Sequence, residues 1–254
     1  MRLLRRFILF LIALLTIAAV VAITCPAQFA YRFVADRLGA IKLAGLSGSI
    51  WQGHAASTQV FGTELGALDW QLQAASLPHG EVAAHLTLGG GSISASGDVT
   101  GGLDGATQVS NATIRAPAQF AAPALDIPAL QLLGELQIDV AQALLRQAWP
   151  ERANGTAHWH NAAVAGAAQA QLGDLEATFA SAADGSINGT VHDLGGPLQL
   201  SGTFVVNAGS YDAQANLRAR DGNAQVSEAL RYIGEMQADG SSLLRIHGQL
   251  FKVF

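Results

Sequence analysis

Beyond residue 45 the apolar positions recur every second residue. Leu68, Trp70 and Leu72 alternate with Asp69, Gln71 and Gln73, and Val82, Ala84, Leu86 and Leu88 alternate with Ala83, His85 and Thr87. The same period runs through Leu198, Leu200, Phe204 and Val206, through Tyr211, Ala213, Ala215 and Leu217, and through Leu244, Ile246 and Leu250. Successive side chains of a strand point to opposite faces, so this period predicts half-buried antiparallel strands. Glycine-rich breaks at Gly89–Gly91, Gly101–Gly105, Asp184-Gly185, Asn207–Gly209 and Asp239-Gly240 supply the turns between them.

Two stretches change period and predict short helices. In residues 139–149, Asp139 and Gln142 have capping-box spacing, Val140, Ala143, Leu144 and Ala148 fall near one face, and Pro150 follows as a stop. In residues 223–233, Asn223 is placed to cap, Val226, Leu230 and Ile233 follow i, i+4, i+7, and Gly234 ends the run. Helices of about ten residues are unstable alone, so each must lay an apolar face on the sheet.

The N-terminus has a different character. Arg2, Arg5 and Arg6 precede seventeen residues, Phe7 to Ile23, with no charge and only Thr16 polar. At ~1.5 Å per residue such a helix is ~25 Å long, enough to cross the hydrocarbon layer. The positive-inside rule keeps the arginines in the cytoplasm and sends the rest across, to the periplasm of a Gram-negative cell. Two other readings are a cleaved signal peptide ending near Val20-Val21-Ala22 and lipidation of Cys25, whose neighbours Thr24 and Pro26 fit poorly. The predicted organisation is a cytoplasmic N-terminus over 1–6, a transmembrane anchor over 7–25, a membrane-proximal helical linker over 26–45 and a periplasmic β domain over 46–254.

Within that domain an internal repeat is visible. Gly48 to Leu72 and Gly155 to Phe179 each carry a tryptophan (Trp51, Trp159) and then an LGxL motif at Leu65–Leu68 and Leu172–Leu175. LGGGSISASG from Leu88 and LGGPLQLSG from Leu194 follow those tryptophans by 37 and 35 residues. Two related β modules, about 46–116 and 150–220, would continue one curved sheet, with a C-terminal helix and strand over 223–254 and a seam near 117–150. The recurrence of Trp51 and Trp159 gives them a core role.

Charge and composition narrow the function. Two lysines, Lys42 and Lys252, and a net charge of −5 leave no basic surface for nucleic acid. Without Arg2, Arg5 and Arg6 the 14 basic residues fall to 11 against 19 acidic, a net −8 on the exported part, which disfavours spreading on anionic lipid. Cys25 is the only cysteine, so no intramolecular disulfide or CxxC metal site is available. No GxSxG, Walker A, HExxH or Rossmann glycine motif occurs. His158 and His160 share a strand face but make only two of the ligands a metal needs, and Asp174 with Glu176 reads as a solvated edge. No catalytic, cofactor-binding or metal residue is assigned, and no cofactor is expected.

Four segments together resemble a known family: LSGSIWQGHA (Leu46 to Ala55), GALDWQL (Gly66 to Leu72), the Trp-Pro and Gly-x-x-x-Trp run from Trp149 to Trp159, and LRYIGEMQADGSSLLRIHGQL (Leu230 to Leu250). In order and spacing they are similar to type II secretion system protein N. The resemblance implies a bitopic inner-membrane protein with a periplasmic β domain, without enzymatic activity, assisting export of folded proteins across the outer membrane. Its implied partners are other secretion subunits: the inner-membrane platform, the pseudopilins or the secretin. The alternative is a curved sheet whose apolar groove binds a lipid or similar ligand, decided by whether the two helices cover that groove. A periplasmic hydrolase built on His158 or His160 stands third.

Overall fold

The computed structural model describes residues 25–35, 39–102, 105–125, 129–146, 149–207 and 209–249. The expected anchor over 7–25 lies outside the described residues except for Cys25. Among the described residues no helix is long and apolar enough to cross a membrane.

Fourteen strands form one antiparallel, open sheet in the order β1 to β12, then β14, then β13. The first half contains β1 (Ile41–Gly48), β2 (Gln52–Val60), β3 (Thr63–Gln73), β4 (Val82–Gly89), β5 (Ser94–Gly101) and β6 (Ala106–Pro117). The second contains β7 (Leu130–Arg146), β8 (Trp149–Gly166), β9 (Ala170–Ser181), β10 (Ile187–Asp193), β11 (Leu198–Asn207), β12 (Ser210–Ala219), β13 (Glu235–Met236) and β14 (Ser242–Gln249). Among the described residues three short α-helices accompany them: α1 (Ala27–Val34), α2 (Ala122–Leu125) and α3 (Ala224–Ala229). Nearly every strand hydrogen-bonds to its sequence neighbour, which short hairpin loops make easy.

The mainly β class follows the two-residue period, and α3 forms where Asn223 caps, its Oδ1 accepting from Val226 N at 3.0 Å. The helix expected over 139–149 does not form. Residues 130–146 are β7, paired with β6 from Ala106↔Arg146 to Pro117↔Glu135 and with β8 from Leu130↔Gly166 to Arg146↔Trp149. A ten-residue helix there would leave both neighbours with unpaired backbone groups. The capping-box acid is used otherwise: Asp139 accepts from Thr113 Oγ1 at 2.7 Å and Gln137 Nε2 at 2.8 Å. Pro150 opens β8 instead of stopping a helix. Just before β7, residues 118–125 form a 3-10 turn running into α2. The linker read to residue 45 is helical through α1, but β1 begins at Ile41 and pairs with β2 as far as Gly48↔Gly53.

The core sits under the second half. Leu132, Val164, Leu172, Leu198 and Leu217 from the sheet pack with Val226, Ala229, Leu230 and Ile233 from α3 and the turn after it. Ala118, Ala121 and Leu125 pack against the same cluster. In the first half only Ala55, Thr58 and Ala112 among its larger-than-glycine residues are buried among the described strands. Trp51 lies outside the core cluster, half-buried, whereas Trp159 packs against it and donates from Nε1 to Leu133 O at 2.9 Å.

Candidate functional site

Two features of the sheet carry chemistry: a row of cross-strand ion pairs on its exposed face and an apolar cavity on the other. Alternation along β8 and β9 puts Trp159 and Leu175 on the cavity side and His158 and Glu176 opposite. Glu176 lies between His158 of β8 (3.5 Å) and His192 of β10 (3.8 Å), because both histidines are its register partners. His160 stacks on His158 at 5.7 Å between ring centroids. Asp174, read from the sequence as a solvated edge with Glu176, accepts from Asn161 N at 2.7 Å.

The same histidine–carboxylate arrangement recurs at His54–Asp69 (2.8 Å), His85–Asp98 (2.8 Å) and His247–Asp212 (2.6 Å). Each joins direct register partners on adjacent strands. The sequence signal was available in the 15- and 13-residue spacings of the first two, which suit a hairpin folding His onto Asp. These are solvated pairs that align neighbouring strands. Among the described residues no group of three or more His, Cys, Asp or Glu is placed to hold a metal ion.

Several aspartates are tuned by their hydrogen bonds. The His85 side chain, helped by Asn111, holds Asp98 below the usual carboxylate range. Thr113 and Gln137 do the same for Asp139. Asp193 is mostly buried, which by itself raises its pKa, but N–H groups of Leu200 and Gly195 and the Arg220 guanidinium outweigh that and lower it. Asp193 thereby ties the end of β10 to β11 and to the turn before α3.

The cavity has a volume of ≈ 460 Å³ and an almost wholly apolar wall, including Leu136, Trp159, Leu175, Leu200, Phe204 and Ile246. One cavity thus touches both β7 and β14, which a flat sheet would separate by roughly 29 Å at the usual strand spacing. The sheet bends around it. The helices over 118–125 and 224–232 cover part of this face and leave the cavity open.

The segments that suggested a family form specific joints. Gly53 pairs directly with Trp70, and a Cβ there would run into the indole ring. Trp70 Nε1 donates to Ile50 O at 3.1 Å, so the IWQG segment and the GALDWQL segment are one clasp. Gly66 and Gly173, the glycines of the two LGxL motifs, have φ of 110° and 97° and pack on the backbones of Gly89 and Gly195. Positive φ and this close approach both call for glycine. The C-terminal run is similarly built: Gly234 abuts Leu243, Asp239 accepts from Ser241 N and Oγ, and Gly248 lies under Tyr211.

A family model described as "Type II secretion system (T2SS), protein N" matches residues 39–245. The chain belongs to this family. Type II secretion system protein N of Vibrio cholerae is 31% identical over 144 residues, 55% of this chain and 57% of that protein, so the match spans little more than half of the relative. The protein of the same name from Aeromonas hydrophila is 26% identical over 249 residues, 95% of this chain and 96% of its own length. No solved structure matches significantly. As a protein N, the chain is a component of the type II secretion system, a structural part and not an enzyme.

Proposed function

We propose that this protein N acts as an anchored scaffold: residues 7–23 hold it in the inner membrane, the N-terminus stays in the cytoplasm, and the β domain stands in the periplasm. There it contacts the inner-membrane platform, the pseudopilins or the secretin. The observation that carries this reading is the open sheet itself, which at its β14 end offers backbone groups for a partner strand. The charge-free segment after three arginines supplies the anchor and its orientation. Two related modules, 46–116 and 150–220, account for the LG and GG joints that recur at Gly66 with Gly89 and at Gly173 with Gly195. Replacing residues 1–25 by a cleavable export signal tests the scaffold: secretion falls while the released domain stays folded. Normal secretion by the unanchored form contradicts it.

The open cavity favours a second reading, in which the same sheet holds a lipid or other apolar ligand on the face that α2 and α3 leave uncovered. Lipid co-purifying with the intact protein at a fixed ratio, seen by mass spectrometry, supports it.

A further inference from the structure

The two ends of the sheet are finished differently. At the β1 end, Leu43 N donates to Tyr31 Oη at 3.1 Å and Gln28 Nε2 donates to Leu46 O at 2.7 Å, so side chains of α1 occupy the outward backbone groups. Cys25 and Pro26 add to this cover through Ile50 N and a bridge to Ser49. At the other end, β13 pairs with β14 only at Ser242 and Leu243. Among the described residues nothing else pairs with that side of β14, so the stretch from Leu244 to Gln249 is an open edge.

The direction of its backbone groups follows from the adjoining turn. Ser241 O accepts from Gln237 N on the β13 side at 2.7 Å, and Leu243 O lies against Gly234 on that side too. Backbone groups alternate along a strand, so those of Arg245, His247 and Gln249 point to the open edge. Side chains alternate as well: Leu244 and Ile246 line the apolar cavity, while Arg245 and His247 stand on the exposed face. His247 is paired with Asp212 at 2.6 Å, and among the described residues Arg245 is held by a 3.7 Å contact to Glu235, with both side chains largely in solvent. Such a pair is weak and exchanges partners easily.

We propose that the β14 edge takes an extended segment of another secretion subunit as a fifteenth strand, and that it selects one in which apolar and acidic residues alternate. The apolar set would seat beside Leu244 and Ile246 in the cavity, and the acidic set opposite Arg245 and His247. A second copy of this chain is a poor occupant. No antiparallel docking of two β14 edges sets a carboxylate opposite Arg245, because β14 itself carries no acidic residue, and the register centred on Arg245 opposes two guanidinium groups. This inference rests on the scaffold reading and names the edge and the chemistry through which it acts.

The test uses full-length protein in detergent and two probes, acetylated octapeptides of alternating valine and glutamate or of alternating valine and lysine. Amide hydrogen exchange over residues 242–249 is followed. The glutamate peptide is expected to slow exchange there by roughly tenfold or more and the lysine peptide to do little, as charge complementarity at an edge requires. His247→Pro removes an outward N–H without touching the β12 ladder, so it should abolish the protection with the remaining sheet intact. Arg245→Glu is expected to invert the preference between the peptides without relying on a proline. Equal protection by both peptides, protection by neither, an uninverted preference in Arg245→Glu, or protection of this edge by self-association without peptide would overturn the proposal. No secretion subunit is present in this assay, so its failure removes the edge and leaves the scaffold role to the anchor experiment.

Discussion

Trp70 lies across Gly53, its direct partner in the β2–β3 register, and donates its indole N–H to Ile50 O. The same pairing of an aromatic ring with a cross-strand glycine recurs at Phe179–Gly155, Phe204–Gly189 and Tyr211–Gly248. Four rings thus cover glycine backbone, and they help pin the register of a sheet with little helix on its first half. Gly53→Ala is expected to push Trp70 off this position and destabilise the fold by about 1–3 kcal/mol, the usual cost of overpacking. Gly101→Ala, where an added Cβ meets nothing, is the control and should change the melting temperature little. Near-ultraviolet circular dichroism and thermal melts distinguish the two.

The helix after β12 is a structural clamp on the core. Leu230 is 1% exposed within the main cluster. Leu230→Ala is expected to cost about 2–5 kcal/mol, as buried leucine truncations do. Asn223→Ala, which removes the cap of α3, should cost about 0.5–2 kcal/mol. Denaturant unfolding of both variants checks the order, which reverses if the helix is peripheral.

Acid stability has a defined origin. Asp98, Asp139 and Asp193 have native pKa values below the ordinary carboxylate value of 3.8. Between the native and unfolded pKa values the unfolded chain binds more protons, so stability rises with pH there. The contribution is complete above the unfolded value and is lost as pH falls through the native ones. Asp193→Asn is expected to lower stability at neutral pH by about 1–3 kcal/mol, through its hydrogen bonds, and to flatten the acid limb of the curve. Melting temperatures from pH 2 to 7 test both, and an unchanged acid limb contradicts the assignment.

Strand content and the C-terminal helix were legible in the sequence because their apolar periods are unambiguous, as at Leu68-Trp70-Leu72 and Val226-Leu230-Ile233. Residues 139–149 misled because Val140, Ala143 and Leu144 satisfy a helical spacing locally, while the long ladders to β6 and β8 that overrule it are non-local. Gly45 hid the start of β1, since it sits unpaired between Ala44↔Ser57 and Leu46↔Ala55 and breaks the alternation. The tryptophan in Trp51 recurred at a matching place without being core; the clasp is made by Trp70, which only the register identifies. The His247–Asp212 pair, which joins β12 to β14, and the open β14 edge likewise depend on which strands are neighbours, and composition carries no trace of that order.

Crosslinking of the full-length protein in its native membrane, followed by identification of the captured chains, tests the scaffold role most directly. The account predicts capture of platform, pseudopilin or secretin subunits, and loss of that capture when residues 1–25 are replaced by a cleavable export signal. Recovery of bound lipid with no secretion subunit, from protein that still supports export, would contradict it.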